Sequence, residues 1–108
     1  LISVGAGAFG AHALKEQLSD KLLNAFEVGV RYQMYHALAL VLMGVLIAKI
    51  PGANTAAWFF FAGTILFSGS LYALALTGLK FFGPITPLGG LLFIIGWGTL
   101  AWSAYGQA

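Results

Sequence analysis

The chain has 108 residues, 60% of them hydrophobic and only 7% charged, with a net charge of +2. A soluble domain is about 25% charged, and five basic plus three acidic side chains cannot cover a small domain, whose surface-to-volume ratio leaves much of every element exposed. An ordinary water-soluble globule is therefore excluded, and lipid is the solvent for most of the surface.

Without cysteine there is no disulfide framework, thiolate nucleophile or sulfur metal site. The basic residues Lys15, Lys21, Arg31, Lys49 and Lys80 and the acidic Glu16, Asp20 and Glu27 are dispersed, so the chain carries no nucleic-acid footprint.

Four apolar segments follow in order. The first, Leu1 to about Leu14, is charge-free, but at 1.5 Å per residue it covers only about 21 Å of a hydrocarbon core roughly 30 Å thick. It starts without Met inside an apolar run, so the expectation is a first helix shortened at its N-terminus or one that does not span alone. A signal peptide is a poor reading, because the run leads into further spans. The hydrophilic stretch Lys15 to Asn24 offers Ser19 or Asp20 as an N-cap before Leu22, Leu23 and Phe26. The helix starting there meets no breaker until Pro51; its first part reads as an amphipathic interfacial segment and its second, from about Val28 to Ile50, as a buried span. Glu27 and Arg31 sit at i and i+4 in the favourable order for an ion pair at the water boundary.

The turn Pro51-Gly52-Ala53-Asn54 ends this helix, and Thr55 offers a cap for a third span from about Ala56 to Leu79. Lys80 to Pro84 form the next break, and Thr86 followed by Pro87 opens a fourth span reaching about Tyr105. Trp58, Phe59 and Phe60, then Phe81 and Phe82, then Trp102 and Tyr105 fall near span ends, as an interfacial belt does, although packing aromatics would read the same way. Gly7 and Ala11 in the first span, and Gly69, Ala73 and Thr77 in the third, lie four apart. Such stripes serve as helix-packing seams or as an oligomer face. The short loops on one side carry Lys15, Lys21, Arg31 and Lys80 against Lys49 alone on the other, which places the basic side in the cytoplasm and both termini outside.

Polar residues entering the membrane region are the candidates for function. His12 lies near the end of the first span, while Glu27, Arg31, Tyr32, Gln33 and His36 occupy the start of the second, with Gln33 and His36 sharing a face with Gly29. Three readings stand open: a structural network tying the first two helices together, with Arg31 snorkelling to phosphate; a proton or small-ligand relay centred on His36; and a haem held between His12 and His36. No catalytic carboxylate pair, metal motif or nucleophile elbow is present. Ser68 and Ser70 have no base nearby in sequence and read as bonding back to their own helix. The glycines from Gly5 to Gly10 follow no strand and precede no Lys-Ser/Thr, so they make no phosphate loop.

Four blocks, Gly7 to Leu14, Gly29 to Leu40, Leu66 to Tyr72 and Gly83 to Gly90, resemble the small bacterial membrane proteins of domain-of-unknown-function family 423, to which eukaryotic transmembrane protein 256 looks distantly related. The blocks extend over nearly the whole chain in order. The resemblance implies a four-helix, multi-pass protein of the bacterial inner membrane and no reaction; the family's motif residues here include His12, Arg31, Tyr32, Gln33, His36, Ser68 and Ser70.

The expectation is thus an all-α integral membrane bundle of four transmembrane helices, one domain over residues 1–108, with no enzymatic activity and no cofactor. It contacts the lipid bilayer and acts as an accessory or interaction subunit, with a membrane-protein partner or as a homo-oligomer. A minimal proton or small-solute carrier using His36 and Arg31 is the alternative, followed by a haem or quinone binder. The lack of any acidic, basic or histidine side chain within the third and fourth spans weighs against the carrier.

Overall fold

A computed structural model of the chain describes residues 1–14 and 17–107, the side chain of Gln107 excepted. Lys15 and Glu16, which the sequence places in the hydrophilic loop, lie outside the described residues. The protein is all-helical: α1 (Ile2–Phe9) runs into a π turn (Gly10–Leu14), followed by α2 (Asp20–Leu46), α3 (Gly52–Thr77), a short 3-10 segment (Lys80–Ile85) and α4 (Thr86–Gln107).

Local chemistry sets the boundaries. Ser19 is the N-cap of α2, its hydroxyl oxygen accepting the Leu22 N–H at 3.2 Å, which satisfies one of the free donors of the first turn. The regular helix stops at Leu46 rather than running on to Ile50; a turn in which the Lys49 and Ile50 N–H groups both reach Leu46 O leads to Pro51, before which Ile50 is disfavoured in the helical region. α3 then starts at Gly52, earlier than Ala56, and Thr55 does not cap it. Its first N–H, on Gly52, donates instead to the Ser103 hydroxyl of α4 at 3.0 Å, so a residue far along the chain closes this end. The other end of α3 is set by Gly78, whose φ of 71° lets its N–H reach Leu74 O at 2.7 Å, a left-handed cap that glycine adopts without a Cβ penalty.

α3 is the central element, with α2 on one side and α4 on the other, while α1 and its π turn pack on α2. The molecule measures 50 × 26 × 15 Å, so it is a shallow row of helices rather than a closed bundle around a common axis. Its thin dimension is little more than one helix diameter of about 10–12 Å.

The α3–α4 seam is built from phenylalanines set against glycines. A Cβ on Gly96 would meet the Phe60 ring at 2.7 Å, one on Gly63 the Phe93 ring at 2.7 Å, and one on Gly89 the backbone of Phe67, its Cα at 2.7 Å. Stepping along α3 through positions 60, 63 and 67, the partners step back along α4 through 96, 93 and 89, a constant antiparallel register that the Ser70–Thr86 hydroxyl pair continues. Between helices solvated by lipid there is little hydrophobic drive, so close backbone approach and dispersion hold the contact. Phe60 is the centre of this core, fully buried beside Met43, Ala53, Ala56 and Phe93. It is therefore not an interfacial aromatic, whereas Trp58, Phe81, Trp102 and Tyr105 are exposed.

Two helical stretches, Gly52–Thr77 and Lys80–Gly106, are long and apolar enough to cross a membrane, and only 28% and 22% of their most apolar parts are buried within the chain. Their remaining surface faces outward as bare Ile, Leu, Phe and Trp, among them Ile65, Ile94 and Trp102. α2 carries Asp20, Lys21, Glu27, Arg31, Gln33 and His36 in its first two-thirds and is less apolar, and Ile2–Leu14 is shorter.

Candidate functional site

The polar face of α2 meets α3 and α4 in one seam. Gly29, Gln33 and His36 follow at i, i+4 and i+7, which stacks them on one side of a helix. At Gly29 the backbone is approached closely: its carbonyl accepts the buried Ser68 hydroxyl at 2.7 Å, and a Cβ there would lie 2.8 Å from the Tyr72 ring. One turn on, the Gln33 side-chain carbonyl accepts the Tyr72 hydroxyl.

His36, only 4% exposed, sits one further turn along and reaches α4. Its Nε2 lies 3.1 Å from the Trp97 indole Nε1 and its Nδ1 lies 2.8 Å from Tyr32 O. An indole N–H can only donate and a carbonyl can only accept. Nε2 therefore carries the lone pair and Nδ1 the proton, and His36 is a neutral imidazole of fixed tautomer. The ring is stacked on Phe93, with centroids 3.5 Å apart and planes 7° from parallel, and Phe60 closes a third side at 5.4 Å. On the far side of α3, Ser70 donates to Phe67 O at 2.9 Å and pairs with Thr86. Among the described residues no buried side-chain nitrogen or oxygen lacks a partner.

Of the residues singled out in the sequence, Tyr32, Gln33 and His36 come together here, Tyr32 through its carbonyl and through its ring, which lies 4.8 Å from that of Phe67. His12, Glu27 and Arg31 do not: all three are exposed, His12 on the π turn and the other two on the outer face of α2. The hydrogen bonds of this stretch run from Tyr72 and Trp97 rather than between Glu27 and Arg31. The network accordingly ties α2 to α3 and α4, not α1 to α2. Nor are the two histidines poised as facing axial ligands, since both His36 nitrogens are already engaged.

Sequence reasoning missed Trp97, Tyr72, Phe93 and Thr86. Each looks like one more apolar or capping residue until the register across α3 is known. Ser70 does bond back to its own helix, but Ser68 crosses to α2.

The small-residue stripes divide. A Cβ on Gly7 would rest 3.4 Å from Val30, an ordinary contact with α2, while Ala11 is exposed. Gly69 and Thr77 are exposed, Ala73 is half-buried, and a Cβ on Gly69 would meet nothing within 4 Å. At Gly69 that stripe meets no other helix of the chain. Gly69 instead borders an open groove of about 250 Å³ between α2 and α3, lined also by Gln33, Thr64, Ile65, Ser68 and Tyr72.

Apolar helices with outward-facing side chains and a polar seam satisfied from within define a small helical membrane protein. The chain belongs to the family described as "Protein of unknown function (DUF423)", whose model matches residues 6–90. It is similar to the UPF0382 membrane protein SH2409 of Staphylococcus haemolyticus, 53% identical over 98 residues that cover 90% of this chain and 80% of that protein. The UPF0382 membrane protein YwdK of Bacillus subtilis is 51% identical over 100 residues, covering 90% of this chain and 81% of its own. A UPF0382 membrane protein of Staphylococcus epidermidis is 50% identical over 98 residues, with 90% and 80% covered. No solved structure matches the chain.

Proposed function

We propose that the protein is a non-enzymatic, multi-pass subunit of the bacterial inner membrane that associates laterally with another membrane protein. One observation carries this reading: Gly69 and Thr77 of the α3 stripe are exposed and the groove beside Gly69 is left open, while the polar side chains of the seam are engaged with one another. Small residues let a neighbouring helix approach closely in lipid, so the open face of α3 is where a partner helix docks. A carrier would need a polar group free to meet its cargo near the midplane, and the His36 nitrogens are both committed.

In this arrangement α2, running beside α3, crosses the bilayer together with α3 and α4. α1 with its π turn adds the fourth helix and inserts part of the way. The end carrying Lys21 and Lys80 faces the cytoplasm, by the excess of basic residues there.

The test places a photo-crosslinking residue at Ile65 or Leu76, exposed positions of α3 on either side of Gly69, in the full-length protein in its native membrane, with Ile94, exposed on α4, as the control. Crosslinks from the two open positions to one membrane protein, recovered in a fixed ratio after mild solubilisation, are the expected result. Crosslinks to lipid only, or equally from Ile94, would overturn the reading.

A further inference from the structure

The end of the molecule opposite the Gly52–Ser103 contact holds a cavity of about 490 Å³ where three elements converge. Lys21 of the first turn of α2 and Lys80, the first residue of the 3-10 segment, both line it, although they are far apart in sequence. Its floor is apolar, made by Leu22 and Ala25 of α2 and Leu74 of α3, and Gly78 and Gly83 leave its rim without side chains. The left-handed turn at Gly78 ends α3 there and brings Lys80 back toward α2.

The volume falls in the range of about 300–1,000 Å³ typical of small-molecule sites. Two lysines lining a largely apolar cavity at one end of the row of helices match one chemistry: a phosphate oxyanion attached to a hydrocarbon chain. Basic pockets between membrane helices on the cytoplasmic side hold anionic headgroups in this way, and lysine serves as a point charge for phosphate. Asp20, next to Lys21, is exposed and does not line the cavity, and neither does the remaining described lysine, Lys49, which lies in the turn at the other end.

We propose that this cavity binds the phosphate headgroup of an anionic phospholipid, with Lys21 and Lys80 on the phosphate and Leu22, Ala25 and Leu74 against the start of its acyl chains. The site is separate from the α3 face on which a partner helix would dock, so either assignment can fail without the other.

Native mass spectrometry of the detergent-purified full chain tests it, with phosphatidylglycerol and phosphatidylcholine as probes. Phosphatidylglycerol should be retained over phosphatidylcholine. Since one lysine near an anionic surface is worth about five-fold in binding, Lys21→Gln and Lys80→Gln should each weaken retention by about that factor, and the double variant by roughly twenty-five-fold. Lys49→Gln should leave it unchanged. All three lysines are exposed, so the variants fold, which circular dichroism checks. Displacement of the lipid by inorganic phosphate would support the phosphate site with a soluble anion as its source; resistance to phosphate would support the lipid. Equal retention of both lipids, or a double variant that still selects phosphatidylglycerol, would overturn the assignment.

Discussion

The indole N–H of Trp97 on α4 donates to Nε2 of His36 on α2 at 3.1 Å, with the Phe60 ring of α3 packed beside both rings. This bond joins the two helices that flank α3, whose backbones do not approach each other. It works only with the Nδ1-protonated imidazole, because the Tyr32 carbonyl at 2.8 Å takes the other ring position. The histidine is thus a clamp, held edge-on by two hydrogen bonds and face-on by Phe93.

Trp97→Phe keeps most of the ring but removes the donor, leaving Nε2 of a buried histidine without a partner. An orphaned buried acceptor costs about 1–3 kcal/mol, and the midpoint of denaturation in mixed detergent should fall accordingly. Nitrogen-15 spectra of labelled wild-type protein should show His36 protonated at Nδ1 alone. A wild-type spectrum with the proton on Nε2, or a Trp97→Phe variant as stable as its parent, would contradict the clamp.

The glycines divide by what lies opposite them. Gly89→Ala would drive a methyl into the backbone of Phe67, which no rotamer change relieves, so α3 and α4 must separate; overpacking of this kind costs about 1–3 kcal/mol. Gly69→Ala points a methyl into the open groove and should gain up to about 1 kcal/mol from helix propensity. Opposite signs in the denaturation midpoints of the two variants are the expected outcome. A Gly69→Ala variant that raises its midpoint yet loses the crosslinked partner would further support docking on that face.

How far these features were legible depends on the range of the interaction that makes them. Ser19 as a cap and the opening of α4 at Thr86 rest on neighbours in the chain, and the structure places both where the sequence does; the break near Pro51 is also observed, but it lies between Leu46 and Gly52 rather than over Pro51 to Asn54. The shared face of Gly29, Gln33 and His36 follows from helical periodicity and is also observed. What those side chains bond to was not legible, because Tyr72 and Trp97 are brought there by an antiparallel register that no local pattern states. The glycine stripes divide for the same reason: spacing of four identifies a smooth ridge, but Gly63, Gly89 and Gly96 pack while Gly69 does not, and only the facing phenylalanines decide which. Phe60 likewise reads as a belt residue by its place in the span and is buried because Gly96 leaves room for it.

Ser68 tests how much the α2–α3 contact owes to its buried hydroxyl. The Gly29 carbonyl it bonds at 2.7 Å lies within α2, where it also has its own helical donor. Ser68→Ala should therefore lose one net hydrogen bond, about 0.5–1.5 kcal/mol, without leaving a buried orphan. Tyr72→Phe removes the donor to Gln33 and should have a comparable effect. Since both bonds join the same pair of helices one turn apart, the double variant should fall short of or exceed the sum of the singles by at least about 0.5 kcal/mol, the usual sign of neighbours that share a contact.

At the far end of the row, Gly52 and Ser103 depend on each other. The Gly52 N–H donates to the Ser103 hydroxyl at 3.0 Å, and a Cβ on Gly52 would overlap the Ser103 side chain. Ser103→Ala should cost only about 0.5–1 kcal/mol, because a first-turn donor at a helix end can turn to water. Gly52→Ala should cost more, about 1–3 kcal/mol, since the new methyl forces the α2–α3 turn away from α4. The next neighbour of that methyl, the Thr99 carbonyl, is 3.7 Å away and offers no obstacle. Ser103→Gly should therefore rescue Gly52→Ala, and a denaturation double-mutant cycle should give a favourable coupling of about 1 kcal/mol or more. Strict additivity of the two changes would mean that α4 does not close over the start of α3.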